Sequence, residues 1–369
     1  MKKKRVLIVP DSFKGSLSAK EVADTIAAEF PDDKFDITAI PVSDGGDGVL
    51  DVLKNSFRLN EKRITAHNAY GITKDTEYLY DNSGVAYIAV SGPSGIQGFD
   101  NAVLNPLIAS TYGTGEVIDH ALESGISTIN LFLGGSATID GGTGMLAALG
   151  SIFFDGVMKI DSCKTNPLIS YSKVKIDKAI NRLKNININL ITDVDNPATG
   201  EYGAARVYGP QKGAGNEDIK TIESKMVLWV NLLEEISVKS LNHIPGMGAA
   251  GGIGLPLMAF SNTNIYKGAN WFISKLNIVE LVARADVVIT GEGSIDKQTL
   301  MGKIPGEITR LSGDKNKKVI GVCGKSSGNI AGFDMIYSIM DELDVSEKYA
   351  ITNAKELLTN MAGSIASNI

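Results

Sequence analysis

The stretch Arg5-Val-Leu-Ile-Val-Pro-Asp-Ser-Phe-Lys-Gly-Ser16 decides the fold. Its first half is a short continuous apolar run, the pattern of a strand buried on both faces of a parallel sheet. Its second half is a polar, glycine-containing loop at the strand's carboxyl end. Ser18 and Glu21 then have capping-box spacing, because a serine hydroxyl can cap a helix while a glutamate three residues on reaches back. Ala19, Val22, Ala23, Ile26, Ala27 and Phe30 fall on one helical face. Phe35 to Ile40 reads as a second strand. Strand, loop, helix, strand is the opening of an α/β fold.

The same style returns near the end, in Asp286-Val-Val-Ile-Thr290 and Val319-Ile-Gly-Val-Cys323. Between these ends the pattern differs. Ile72 to Tyr80 and Val85 to Val90, joined by Asp81-Asn-Ser-Gly84, read as an antiparallel hairpin. Ile129 to Leu133 and Ile186 to Thr192 read as buried strands, with a helix over Thr114 to Glu123 and a long amphipathic helix carrying Ile219, Ile222, Met226, Val230 and Leu233 in register. These patterns predict two α/β domains. Residues 1–65 and 265–369 build a parallel-sheet domain, and 66–264 form an inserted domain with a mixed sheet.

A chain of 369 residues is long enough for about two such cores. Its net charge of −6, with no basic block, argues against nucleic acid as the main partner. No apolar stretch approaches the ~18 residues a membrane span needs. The run Val6 to Val9 after Met1-Lys-Lys-Lys-Arg5 is too short for a signal-peptide core. Cys163 and Cys323 make neither a disulfide framework nor a metal pattern. A cytoplasmic protein is expected. The separation of His67, His120 and His243 argues against a histidine zinc site.

Glycine is concentrated in loops that mostly follow strands. The richest is Gly134-Gly-Ser-Ala-Thr-Ile-Asp-Gly-Gly-Thr-Gly144. Such a loop can bring backbone N–H groups to an anion, since glycine permits close approach and positive φ. The others are Asp11–Ser16, Ser43–Gly48, Asp193–Asn196, Gly209–Ala214 and Gly291–Asp296. Together they hold Asp11, Asp44, Asp47, Asp140, Asp193, Asp195, Glu292 and Asp296, with Lys14, Lys212 and, just beyond, Lys303. In α/β sheets ligands bind at the carboxyl ends of strands. Lysines and glycine loops hold phosphates, carboxylates hold Mg²⁺, and a further carboxylate can accept the proton of an attacking hydroxyl. The set therefore points to phosphoryl transfer, although any one aspartate could equally be a turn former or cap.

Several familiar motifs do not hold. Gly324-Lys325-Ser326 lacks the earlier glycine of a P-loop, because Val319 stands there. Gly246-Met-Gly-Ala-Ala-Gly251 matches a dinucleotide fingerprint but follows His243-Ile-Pro245 rather than a clear strand, and packing glycines explain it equally well.

In order along the chain, Asp11–Ser16, Ser43–Gly48, Tyr112-Gly-Thr-Gly-Glu116, Gly134–Thr138, Asp140-Gly-Gly142, Asp193-Val-Asp-Asn-Pro197, Gly209–Ala214, Gly248–Gly252 and Ile289-Thr-Gly-Glu-Gly293 resemble the bacterial type I glycerate kinases. The resemblance extends over nearly the whole chain. It implies ATP- and Mg²⁺-dependent phosphorylation of D-glycerate, with 2-phosphoglycerate as product. It also implies a flavodoxin-like domain and a mixed-sheet domain likened to restriction enzymes, with the site in a cleft between them.

On that basis Asp193, Lys14 and Lys212 are the expected catalytic residues. Gly134, Gly135, Ser136, Thr138, Gly141, Gly142 and Lys303 are expected to bind ATP. Ser12, Asp44 and Asp47 are expected to bind substrate, and Asp195, Glu292 and Asp296 the metal. The expected partners are glycerate and ATP, for a monomer or homodimer. Two positions depart from the family pattern. Ala89 stands where a glutamate is usual and Ile139 where an asparagine is usual. These changes motivate the alternatives of a kinase for another small hydroxy acid, or a non-catalytic relative that binds carboxylate or nucleotide.

Overall fold

The computed structural model describes residues 3–46, 48–100 and 103–369. The chain forms two compact units. Unit 1 comprises Met1–Asp44, Asp51–Arg58 and Lys267–Ile369. Unit 2 comprises Gly45–Leu50 and Leu59–Tyr266.

Unit 1 is built on a five-stranded sheet. Its strands are β1 (Lys4–Pro10), β2 (Phe35–Ala39), β12 (Val287–Ile295), β13 (Lys318–Ser326) and β14 (Met335–Ser338). They lie in the order β14-β13-β12-β1-β2, and every pairing is parallel. The register sets Val6 beside Val287 and Ile8 beside Ile289, so apolar residues from the two chain ends meet in one core with Ile320 and Val322. The helix Ala19–Ala28 opens with the capping box read from Ser18 and Glu21. It packs against the closing helix Ala354–Asn368. In this strand order the chain leaves β1 toward β2 on one side and returns to β12 on the other. Such a switch point opens a crevice above the strand ends, where doubly wound sheets bind ligands.

Unit 2 carries a mixed six-stranded sheet in the order β11-β10-β6-β5-β4-β3. The strands are β3 (Asn60–His67), β4 (Thr73–Tyr80), β5 (Val85–Ala89), β6 (Thr128–Phe132), β10 (Asn187–Ile191) and β11 (Asn262–Tyr266). β5, β6, β10 and β11 pair parallel, while β3–β4 and the hairpin β4–β5 pair antiparallel. A small antiparallel sheet joins β7 (Ile152–Asp155), β8 (Met158–Lys159) and β9 (Lys173–Lys175). The long helix Asn216–Ser237 buries Ile222, Met226, Trp229, Val230 and Leu233 against the core. The α/β class read from the sequence therefore holds, with one all-parallel and one mixed sheet.

One local reading is corrected. Gly291–Asp296 is not a loop, because β12 continues through Ile295, pairing Glu292 with Cys323 and Ser294 with Lys325. The ladder is a stronger determinant here than the local glycines. Among the described residues, no helix is long and apolar enough to cross a membrane.

Candidate active site

Two charged constellations take up most of the residues singled out from the sequence, one in each unit. Asp47 lies outside the described residues.

In unit 1, Asp11 follows β1, Asp44 lies beyond β2, and Glu292 sits within β12. All three line a cavity of ≈ 420 Å³ together with Ser12, Lys14 and Lys303. The strand ends are tied by Asp11 N–H donating to Gly291 O at 2.8 Å and by Thr290 Oγ1 donating to Val9 O at 2.7 Å. Ser12 N–H donates to Asp11 Oδ1 at 2.6 Å.

The Asp11 carboxyl is enclosed by protein even though part of the residue faces the cavity. That enclosure, with the nearby charges of Asp44 and Glu292, pushes its pKa well above the ordinary range against the pull of Ser12 N–H and Lys14. Lys14 Nζ lies 3.8 Å from Asp44 Oδ2, on a side chain that is 83% exposed. Glu292 accepts from Thr299 Oγ1 at 2.6 Å and from Lys303 Nζ at 2.9 Å. Burial works against the Lys303 charge, but the hydrogen bond and charge of Glu292, with Asp296 and Asp44, outweigh it and raise its pKa. Lys303 is thus a held, charged ammonium beside the cavity. Asp296 does different work. Its carboxylate accepts from Gln298 N–H at 2.7 Å and caps the short helix Lys297–Leu300.

In unit 2 the loop after β6 is mostly interior. Ser136, Thr138, Asp140, Gly141 and Gly142 are buried, and only Gly134 and Gly135 are half-buried at its start. The glycines answer to packing. A Cβ on Gly141 would sit 2.7 Å from Trp229, one on Gly142 would sit 2.8 Å from Pro256, and one on Gly144 would sit 2.1 Å from Ser110 Oγ. Gly141 also has φ +60°. Trp229 Nε1 donates to Gly141 O at 2.9 Å.

Asp140 organises the loop. It accepts from Thr111 N–H at 2.8 Å, Thr111 Oγ1 at 2.7 Å, Gly142 N–H at 3.0 Å and Gly144 N–H at 3.1 Å. Burial still leaves its pKa raised in spite of these donors. Lys212 is 3% exposed. Its ammonium donates to Ser136 Oγ at 2.8 Å and Thr138 O at 2.9 Å. Burial pulls its pKa down to about 7, opposed by the charge of Asp140.

Asp193 follows β10 and is half-buried, and Asp195 is exposed. Tyr208 joins this segment to the lysine: its hydroxyl donates to Asn196 Oδ1 at 2.6 Å, and its ring centroid lies 6.0 Å from Lys212 Nζ. Gly248 and Gly251 are also packing positions, since a Cβ on either would strike the Pro197 or Thr138 carbonyl oxygen at 2.4 and 2.1 Å.

The two departures from the family pattern are core positions. Ile139 is fully buried in the main apolar cluster of unit 2. Ala89 is 5% exposed at the end of β5, opposite Phe132. Asp11 and Asp140 are the residues that the sequence left among candidates without a role. Asp11 was marked by its place after β1, and Asp140 by its glycine neighbours.

The family model that matches residues 6–369 is described as "Glycerate kinase family". A glycerate kinase of Halalkalibacterium halodurans is 34% identical over 98% of this chain and 97% of its own length. A glycerate 2-kinase of Escherichia coli K12 is 32% identical, covering 98% of each. The crystal structure assigned to glycerate kinase 2 of Salmonella typhimurium LT2 matches with a TM-score of 0.81 at 32% identity, over 100% of this chain and 98% of that one. With the family model spanning both units and solved and curated relatives matched almost end to end, the chain belongs to the glycerate kinase family.

Proposed function

We propose that this chain transfers the terminal phosphoryl group of ATP to D-glycerate, giving 2-phosphoglycerate, with Mg²⁺ as the metal. The observation that carries the reading is the grouping of Asp11, Asp44 and Glu292 with Lys14 and Lys303 around one cavity at the switch point of the unit 1 sheet. Family membership supports the acceptor, and the name of the E. coli relative, a glycerate 2-kinase, supports the position. Two free cysteines accord with action in the cytoplasm, and the protein is proposed to act as a monomer or homodimer.

Hard oxygen donors suit Mg²⁺, which takes one or two carboxylates and completes its shell with phosphate oxygens and water. Among the described residues, no group of three or more His, Cys, Asp or Glu side chains is placed to hold a metal ion by itself. Glu292 and Asp44 are the carboxylates assigned to it, and when bound the ion neutralises charge on the phosphates. Lys14 and Lys303 hold negative oxygens of the transferring group and of the glycerate carboxylate. Ser12 supplies a hydroxyl to the acceptor. In unit 2, Lys212 is assigned a positioning part, holding the loop through Ser136 and Thr138.

Asp193 is assigned the proton of the attacking hydroxyl. Asp11 is a second candidate on a specific observation: it follows β1 and lines the same cavity as Ser12, Lys14 and Lys303. The variants Asp193→Asn and Asp11→Asn separate them, since loss of the acceptor lowers kcat by about 10²–10⁴-fold. Phosphorus NMR of the product from D-glycerate and Mg·ATP tests the whole reading. A 2-phosphoglycerate resonance is expected. A 3-phosphoglycerate resonance overturns the position, and ATP consumed with no glycerate ester formed overturns the acceptor.

A further inference from the structure

The unit 1 cavity has two unlike ends. One carries the carboxylates and lysines described above. The other is mostly apolar and is built by the segment after β14: Ile339 and Met340 from the helix Ile339–Leu343, Ala350 and Ile351 from the helix Glu347–Thr352, and Ala354, with the Glu347 carboxylate the one charged group of that segment in the lining. Ile339, Ala350 and Ala354 are buried, and Ile351 is 43% exposed at the rim. Lys325, at the carboxyl end of β13, also lines the cavity.

The acceptor does not account for this shape. Taking a water's share of liquid as about 30 Å³, glycerate fills on the order of four such volumes, well short of ≈ 420 Å³. Nor has a three-carbon hydroxy acid any apolar surface to offer five aliphatic side chains. A nucleoside triphosphate has both parts in one molecule, a flat, weakly polar base and a polyanion. Ligand cavities of this size are typically apolar walls with a few placed polar groups.

We infer that the purine base of the nucleotide lies against Met340, Ala350, Ile351 and Ala354, so that the segment 339–354 is the base-binding wall and the triphosphate runs toward Lys14, Lys303 and Lys325. The inference rests on the kinase reading. It places the nucleotide's base in unit 1.

The test uses the full-length protein, ADP and adenosine as probes, and calorimetry. Ile351→Asn and Met340→Asn each put an amide on the wall and are expected to weaken ADP binding at least tenfold. Tyr349→Asn, on the helix of Ile351, 52% exposed and outside the cavity lining, is expected to leave it unchanged. An unchanged dissociation constant in both wall variants overturns the inference alone, provided the wild type binds ADP and phosphorylates glycerate. A wild type that binds neither ADP nor adenosine overturns the kinase reading and the inference together. Should the wall variants fail to fold, hydrogen exchange on the wild type decides. Adenosine is expected to slow amide exchange across 339–354, and protection confined to residues 134–144 overturns the inference.

Discussion

The cavity of unit 1 and the glycine loop of unit 2 are made from the same residue types and used in opposite ways. Around Asp11, aspartates, a glutamate and lysines meet at an open strand end, and Lys14 keeps most of its side chain in solvent. Around Asp140, an aspartate and a lysine are sealed inside, where their hydrogen bonds hold a loop closed. Glycine follows the same division. Gly15 has φ +79° with nothing near its missing side chain, while Gly141 is pressed against Trp229. Composition identifies a charged, glycine-rich loop, but only the neighbours decide whether it meets a ligand or a core.

Substitutions in the two regions should therefore fail in different ways. Asp140→Ala removes the acceptor of four hydrogen bonds and leaves Lys212 without its charge partner. A loss of about 3–5 kcal/mol in urea denaturation is expected, and a loss under 1 kcal/mol would place Asp140 with the exposed group. Lys14→Met should do the reverse. Activity falls about a hundredfold, equivalent to about 2.7 kcal/mol of transition-state stabilisation, while stability stays within about 0.5 kcal/mol because the side chain is exposed. Equal losses in both measures would dissolve the contrast. Gly141→Ala should cost about 2–3 kcal/mol, combining positive φ with overpacking. Gly15→Ala should cost about 1 kcal/mol from the backbone alone.

A separate effect is in pH dependence. Burial holds Lys212 near 7 in the folded state, below its unfolded value of about 10.4. Between these values the unfolded chain binds a proton that the folded chain lacks, so stability rises with pH. Relative to Lys212→Met, the wild type should gain stability from about pH 7 upward at no more than about 1.4 kcal/mol per pH unit. A flat difference between the two proteins would show that the buried lysine keeps its proton.

Much of the scaffold was legible because its signals are local. The run Val6–Val9, the Ser18/Glu21 capping box and the hairpin around Asp81–Gly84 each carry their reason within a few residues, and each is present. The β12 extension was missed because glycine and acidic residues at 291–296 look like a loop until β13 is laid beside them. The apolar wall at 339–354 gave no cue, since its residues belong to three separate helices whose common face exists only after folding. Ile139 shows the converse. It looked anomalous as a loop residue, but it is an ordinary core side chain pointing inward beside a buried aspartate.

The pairing of β1 with β12 sets a constraint on synthesis. Val6 waits for Val287, and the neighbours beyond it, β13 and β14, come later still. All strands of unit 2 have been made by Tyr266. On the ribosome the inserted unit can therefore complete its sheet while β1, flanked only by β2, still presents one open edge. A pause between residues 267 and 287 would hold the nascent chain with that apolar edge unpaired, the situation in which a strand recruits the wrong partner.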